Sequence, residues 1–111
     1  MNETDLQMHV VNYIRMQYPK VRYCASLGGI RTNITQALKA KRTGYWKGFP
    51  DLQICEPNHN YHGLFIEIKT EKGRPTASQK DWINALNKRG YKAIICKGFV
   101  QCKDELDKYL G

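Results

Sequence analysis

The segment Leu64-Phe65-Ile66-Glu67-Ile68-Lys69 constrains the fold more than any other part of the chain. It is a short run with four apolar residues in six, preceded by Gly63 and followed by a loop, Glu71 to Ala77, that carries Gly73 and Pro75, and it reads as a strand. Ser78 to Arg89 then reads as a helix with Thr76 or Ser78 as its cap, an apolar stripe of Trp82, Ile83 and Leu86, and Gly90 as the stop signal. Tyr91 to Cys96 is a second apolar strand. Strand, helix and strand in that order form a crossover unit, which should be parallel and right-handed.

The rest of the chain is arranged around that unit. Glu3 to Gln17 reads as a helix with Leu6, Val10, Tyr13 and Ile14 on one face. Thr4 with Gln7 and Asn2 with Asp5 compete as its start, and Pro19 ends it. Val21 to Leu27 reads as a strand closed by Gly28-Gly29, and Asn33 to Thr43 as a short helix. Gly44 to Pro50, with two glycines, a proline, Tyr45, Trp46 and Phe49, reads as an ordered loop. Asp51 to Cys55 pairs as a hairpin with Leu64 to Lys69 across the polar connection Pro57 to Gly63, and Val100 to Leu110 forms a last helix that buries Leu106, Tyr109 and Leu110. The order is α-β-(α)-β-β-α-β-α, an α/β fold with a mixed central sheet and helices on both faces.

At 111 residues the whole chain, 1–111, is expected to form a single domain. Its 18 Lys and Arg against 10 Asp and Glu give a net charge of +8, which favours a polyanionic partner. No basic amphipathic helix stands out, and no apolar run approaches the roughly 20 residues that span a bilayer, so a membrane is not the expected partner. Cys24, Cys55, Cys96 and Cys102 lack the spacing of a zinc site. The first three sit in or beside apolar runs, which makes reduced, buried core thiols the expected state and an intracellular setting the expected one. The polar start, Asn2 to Asp5, is not that of a signal peptide.

Alternation along the strand puts Leu64, Ile66 and Ile68 on one sheet face and Phe65, Glu67 and Lys69 on the other. Glu67 and Lys69 therefore project side by side from the strand's C-terminal end, and hairpin pairing brings Asp51 to them. Two carboxylates offer hard oxygen ligands to a Mg²⁺ that keeps several waters, and the Ile68 backbone carbonyl adds a neutral one. Such a metal lowers the pKa of a bound water and offsets charge growing on a phosphate, while Lys69 orients that water. The plainer alternative is a half-exposed strand with Glu and Lys on a wet face, and Pro-Asp opening a turn. Pro-Asp followed 10 to 20 residues later by Glu-x-Lys arises by chance in on the order of one such chain in a hundred.

Pro50-Asp51 with Glu67-Ile68-Lys69 is similar to the signature of the PD-(D/E)XK nucleases, which have a restriction-endonuclease-like fold. Gly48-Phe49-Pro50-Asp51-Leu52, Phe65-Ile66-Glu67-Ile68-Lys69, and Ser78-Gln79 with Trp82 resemble the VRR-NUC family, the virus-type replication-repair nucleases. Glu3, Leu6 and Gln7 on the first helix and Gly28-Gly29 after the first strand also fit, so the resemblance covers nearly the whole chain. It implies Asp51, Glu67 and the Ile68 carbonyl as metal ligands, Lys69 as the catalytic lysine, Gln79 as its helper, and Glu3 as a further acidic residue near the metal. Favourable interaction with the helix dipole explains Glu3 equally well, and Gln79 is also a good first-turn residue. The resemblance further implies Mg²⁺- or Mn²⁺-dependent cleavage of DNA. Branched structures such as Holliday junctions or flaps in replication, recombination or repair are implied substrates. A homodimer, in the cytoplasm of a bacterial or virus-infected cell, is implied as well.

Arg31, Lys39, Lys41, Arg42 and Lys47 surround Tyr45 and Trp46, a mixture suited to phosphate contact and base stacking, and Lys72 and Arg74 extend it. A solvated helix end and a core aromatic would give the same residues. A nuclease fold that grips nucleic acid without cutting, or a basic subunit of a ribonucleoprotein, are the competing functions. Retention of Asp51, Glu67 and Lys69 together argues against the former.

Overall fold

The computed structural model describes residues 1–26 and 33–111. Its elements are α1 (Glu3–Gln17), β1 (Tyr23–Ala25), α2 (Ile34–Arg42), β2 (Leu52–Ile54), β3 (Leu64–Lys69), α3 (Ala77–Asn87), β4 (Lys92–Lys97) and α4 (Gly98–Leu110). The four strands form one sheet in the order β1-β2-β3-β4. The first two pairings are antiparallel and β3 with β4 is parallel, as the crossover through α3 requires.

The helix starts follow from local chemistry. Asn2, not Thr4, caps α1, its side chain accepting from the Asp5 amide at 2.8 Å. Thr76 caps α3 in a reciprocal box: its Oγ1 accepts from the Gln79 amide at 3.2 Å, and the Gln79 Oε1 accepts from the Thr76 amide at 2.8 Å. Asn33 and Gln36 make the same box at α2. Helix α4 begins at Gly98, directly off β4 and two residues earlier than its apolar pattern suggests.

Apolar side chains are buried on both faces of the sheet. Leu64, Ile66 and Ile68 pack with Leu6, Val10 and Ile14 of α1 and with Cys102, Leu106 and Tyr109 of α4. On the opposite face Phe65 and Ala93 pack with Ile83 and Leu86 of α3. Each such aliphatic or aromatic side chain contributes about 1.5–3 kcal/mol by leaving water. All six residues of β3 are buried as a result, Glu67 and Lys69 included. Leu110 is only half-buried at the rim of the core.

Several expectations need correction. β1 and β2 are three residues each, shorter than Val21 to Leu27 and Asp51 to Cys55; Leu27 and Gly28-Gly29 lie outside the described residues. Cys24 and Cys55 are exposed free thiols, while Cys96 and Cys102 are the buried ones. β1 is an edge strand, with no strand beyond it among the described residues, and Cys55 lies just past the end of β2.

Candidate active site

The site forms where β2 stops pairing with β3. The ladder runs Ile54↔Leu64, Gln53↔Phe65, Leu52↔Ile66. One step further, the same register sets Asp51 opposite Glu67, so their side chains leave one face as cross-strand neighbours. The next step would set Pro50 opposite Ile68. Proline has no N–H to give to the Ile68 carbonyl, and the Ile68 amide is taken by the Asp51 side chain, whose Oδ2 accepts it at 2.7 Å. The N–H and C=O of a strand residue project to the same edge, so the Ile68 carbonyl lies on Asp51's side and β2 offers it no backbone donor. The Pro-Asp pair thus ends a ladder and opens an oxygen-rich edge in two residues.

Glu67 is 2% exposed and Lys69 7%. The Lys69 Nζ lies 3.8 Å from Glu67 Oε2 and 3.8 Å from Glu3 Oε2, beyond hydrogen-bonding range of both. Burial pushes the Glu67 carboxyl up to about 9; its hydrogen bond with Asp51 and the Asp51 charge act the same way, and Lys69 opposes them. Two carboxyl groups sharing a site cannot both ionise freely. A wet-faced strand would show neither the burial nor the shift, so the plain reading of Glu67 and Lys69 as surface charges fails.

Glu3, Tyr45, Lys47, Gly48, Phe49, Asp51, Glu67, Thr76, Ser78 and Gln79 line one cleft of about 210 Å³. Four of the expected catalytic and metal-binding residues therefore share a wall, Glu3, Asp51, Glu67 and Gln79, with Tyr45 and Lys47 of the expected nucleic-acid surface beside them. The Gln79 side chain also closes the α3 cap through its carbonyl oxygen. Glu3 meets the cluster through Lys69. Among the described residues no three His, Cys, Asp or Glu side chains gather as a metal-binding group, which leaves Asp51 and Glu67 as the paired carboxylates. Lys72 lines a different pocket, of about 400 Å³, with Met1, Leu6, Thr70, Glu71, Gly98 and Phe99. Lys39, Lys41, Arg42 and Arg74 are exposed and outside both linings. Arg31 lies outside the described residues.

Two positioning features escaped the sequence reading. Gly48 has φ +94°, and a Cβ there would sit 2.6 Å from the Ser78 backbone, so only glycine lets this loop lie on the first turn of α3. The Trp82 indole N–H donates to the Lys47 carbonyl at 3.1 Å and ties the same loop to α3. Both residues stood in the motifs already quoted, but nothing in their spacing revealed the contact between them.

This is the mixed sheet and carboxylate–lysine cluster of a PD-(D/E)XK nuclease fold. The chain belongs to the VRR-NUC family: the model of the VRR-NUC domain matches residues 1–100. A solved VRR-NUC domain protein superposes with a TM-score of 0.85 at 33% identity, covering 99% of this chain and 88% of that one. Another solved VRR-NUC domain, 20% identical, shares the fold with a TM-score of 0.56 over 94% of this chain and 96% of that one. No curated protein matches the chain. Membership carries nuclease-type function, with DNA as the implied substrate, and nucleases of this kind generally use divalent metals. Among the described residues no helix is long and apolar enough to cross a membrane.

Proposed function

We propose that the chain, as one domain over 1–111, is a Mg²⁺- or Mn²⁺-dependent endodeoxyribonuclease that hydrolyses phosphodiester bonds in branched DNA. The observation that carries the reading is the meeting of Asp51, Glu67 and Lys69 at the end of the β2–β3 ladder. The donor set fits a hard cation. Two carboxylates and the Ile68 carbonyl supply oxygen, and Mg²⁺ is usually held by one or two carboxylates with waters completing its shell. Bound there, the ion supplies an activated water and a counter-charge for the phosphate. Asp51 and Glu67 hold the ion, and Lys69 orients the attacking water and takes up phosphate charge. Gln79 lines the cleft beside them and assists that water, and Glu3 holds Lys69 from the side of α1. Lys47, with the exposed Lys39, Lys41, Arg42, Lys72 and Arg74, receives the flanking phosphates.

A homodimer is part of the reading, because a four-way junction needs two symmetric cuts. What supports it is α2, a helix with no buried residue and with Ile34 81% and Leu38 50% exposed one turn apart.

The test is a panel of labelled junctions, flaps, single strands and duplexes with Mg²⁺ or Mn²⁺. Cleavage of a branched substrate that disappears with EDTA, with Asp51→Asn and with Lys69→Ala is expected. A folded, metal-loaded wild type that cuts none of them would sink the proposal, and metal-independent binding without cleavage would replace it with a binding module.

A further inference from the structure

Trp46 is 68% exposed, although a fully buried side chain of its kind contributes some of the largest single terms in a core. Its position is nonetheless held. The ring makes a T-shaped contact with Trp82 at 5.1 Å between centroids, Trp82 meets Phe49 at 5.0 Å, Phe49 meets Phe65 at 5.6 Å, and Phe65 meets Tyr91 at 5.3 Å. This column of T-shaped contacts runs from solvent down to β3, the strand that carries Glu67. The Trp82 N–H bond to the Lys47 carbonyl and the close approach of Gly48 to Ser78 fasten the loop just after Trp46, and the Tyr45 amide, donating to the Ala40 carbonyl at 2.8 Å, fastens it just before. Trp46 is therefore an exposed aromatic face on a rigid mount.

Its surroundings select the occupant. The neighbours Tyr45 and Lys47 line the cleft that holds Asp51 and Glu67. Between Asp5 and Asp51 the chain carries eight Lys and Arg and no acidic residue. A rigid π-face in a cationic field beside a phosphodiester-cleaving centre suits a nucleobase more than an apolar protein surface. A base inside a duplex is covered on both faces by its neighbours, so only an unpaired base can offer its own face to the ring.

We propose that Trp46 is a stacking platform for an unpaired base next to the cleaved phosphodiester, and that it makes the enzyme prefer DNA with unpaired nucleotides at the cut over continuous duplex. This deepens the nuclease reading above and rests on it for the position of the cut.

The experiment measures binding in EDTA, so that no cleavage is needed. The probes are a duplex with a five-nucleotide single-stranded tail carrying 2-aminopurine at the junction, and the same duplex fully paired. Base stacking on an aromatic side chain is worth about 1–3 kcal/mol by alanine substitution. Trp46→Ala is therefore expected to weaken binding of the tailed DNA about 5- to 150-fold, change duplex binding less than about twofold, and abolish the quenching of 2-aminopurine seen with wild type. Trp46→Phe, which keeps a ring, restores most of the tail affinity and separates stacking from loss of the loop's shape.

Equal losses on both probes, no loss on either, or a Trp46→Phe that behaves like Trp46→Ala would overturn the proposal. So would a Trp46→Ala that changes only the oligomeric state, which would make the ring an interface between copies. A wild type that shows the Trp46-dependent preference yet cuts nothing sinks the nuclease reading alone. A wild type that cuts DNA with a preference indifferent to Trp46 sinks this proposal alone.

Discussion

Glu67 and Asp107 are carboxyl groups in opposite surroundings. Asp107, on α4, accepts from the Tyr13 and Tyr18 hydroxyls at 2.6 Å each and from Lys103 Nζ at 3.0 Å. These donors hold its carboxyl down to about 2. Glu67 is buried, faces the like charge of Asp51, has its ammonium partner 3.8 Å away, and is pushed up to about 9. One carboxylate is completed by the fold, and the other carboxyl group is placed where the protein alone balances its charge only in part. Carboxylates that serve structure are surrounded by donors, whereas a cation-binding pair must keep lone pairs available, and the two pKa directions record that difference.

The largest expected effect comes from exchanging the lysines of the two regions for alanine. Lys69→Ala is expected to lower Mg²⁺-dependent cleavage by about 10²–10⁴-fold, the usual range for a positioned proton-transfer or charge-stabilising group. Lys103→Ala, which removes one donor from Asp107, leaves cleavage within about twofold, as substitutions far from a site usually do. Initial rates on one labelled branched substrate, with circular dichroism to confirm folding, decide the matter. Equal losses in the two variants would erase the distinction between the regions.

The sequence revealed the two carboxyl groups unequally. Period-two alternation sets Glu67 and Lys69 on one face of β3, and hairpin adjacency brings Asp51 close, because both are local rules. The burial of that face is not local: it depends on α3 laying Ile83 and Leu86 over Phe65. The Asp51 bond to the Ile68 amide depends on register, on where Pro50 falls against β3, and so was invisible before the pairing was known. Cys24 and Cys55 were misread for a related reason, since an apolar run does not say which strand will be the edge. The Asp107 cluster was not legible at all. Its tyrosine donors are 94 and 89 residues distant in sequence, and no pattern links them.

The next effect concerns stability. Raised from an ordinary value near 4.5 to about 9, Glu67 binds a proton more tightly in the folded chain than in the unfolded one. Its contribution is then fully present below about 4.5 and is lost as pH rises toward 9. Metal-free Glu67→Gln, which imitates the protonated form, should lack this loss. In EDTA its Tm is expected to exceed that of wild type by a few degrees near pH 9, on the order of one to two kcal/mol for a domain of this size, and to match it near pH 5. Added Mg²⁺ should raise the Tm of wild type and not of the variant, because an ion that binds only the folded state stabilises by mass action. Thermal scans at the two pH values with and without Mg²⁺ provide the check. A variant with the same pH slope as wild type would show that Glu67 is not the group responsible.

The smallest effect is the mirror image. The folded value of Asp107 lies below its ordinary 3.8, so its contribution is present above 3.8 and is lost as pH falls through about 2. Asp107→Asn keeps the shape but loses the charge that draws the three donors together. It is expected to lower Tm at pH 7 by on the order of a few degrees and to flatten the decline in stability between pH 4 and pH 2. Because the group is only half-buried, salt should reduce the difference. Denaturant midpoints measured across that acid range, at low and high salt, test the sign. Cleavage at neutral pH should be unchanged, since the site residues stand at the other end of α1 from Tyr13 and Tyr18. A variant as acid-sensitive as wild type would mean that the three hydrogen bonds do not hold the charged form, and the contrast with Glu67 would then rest on burial alone.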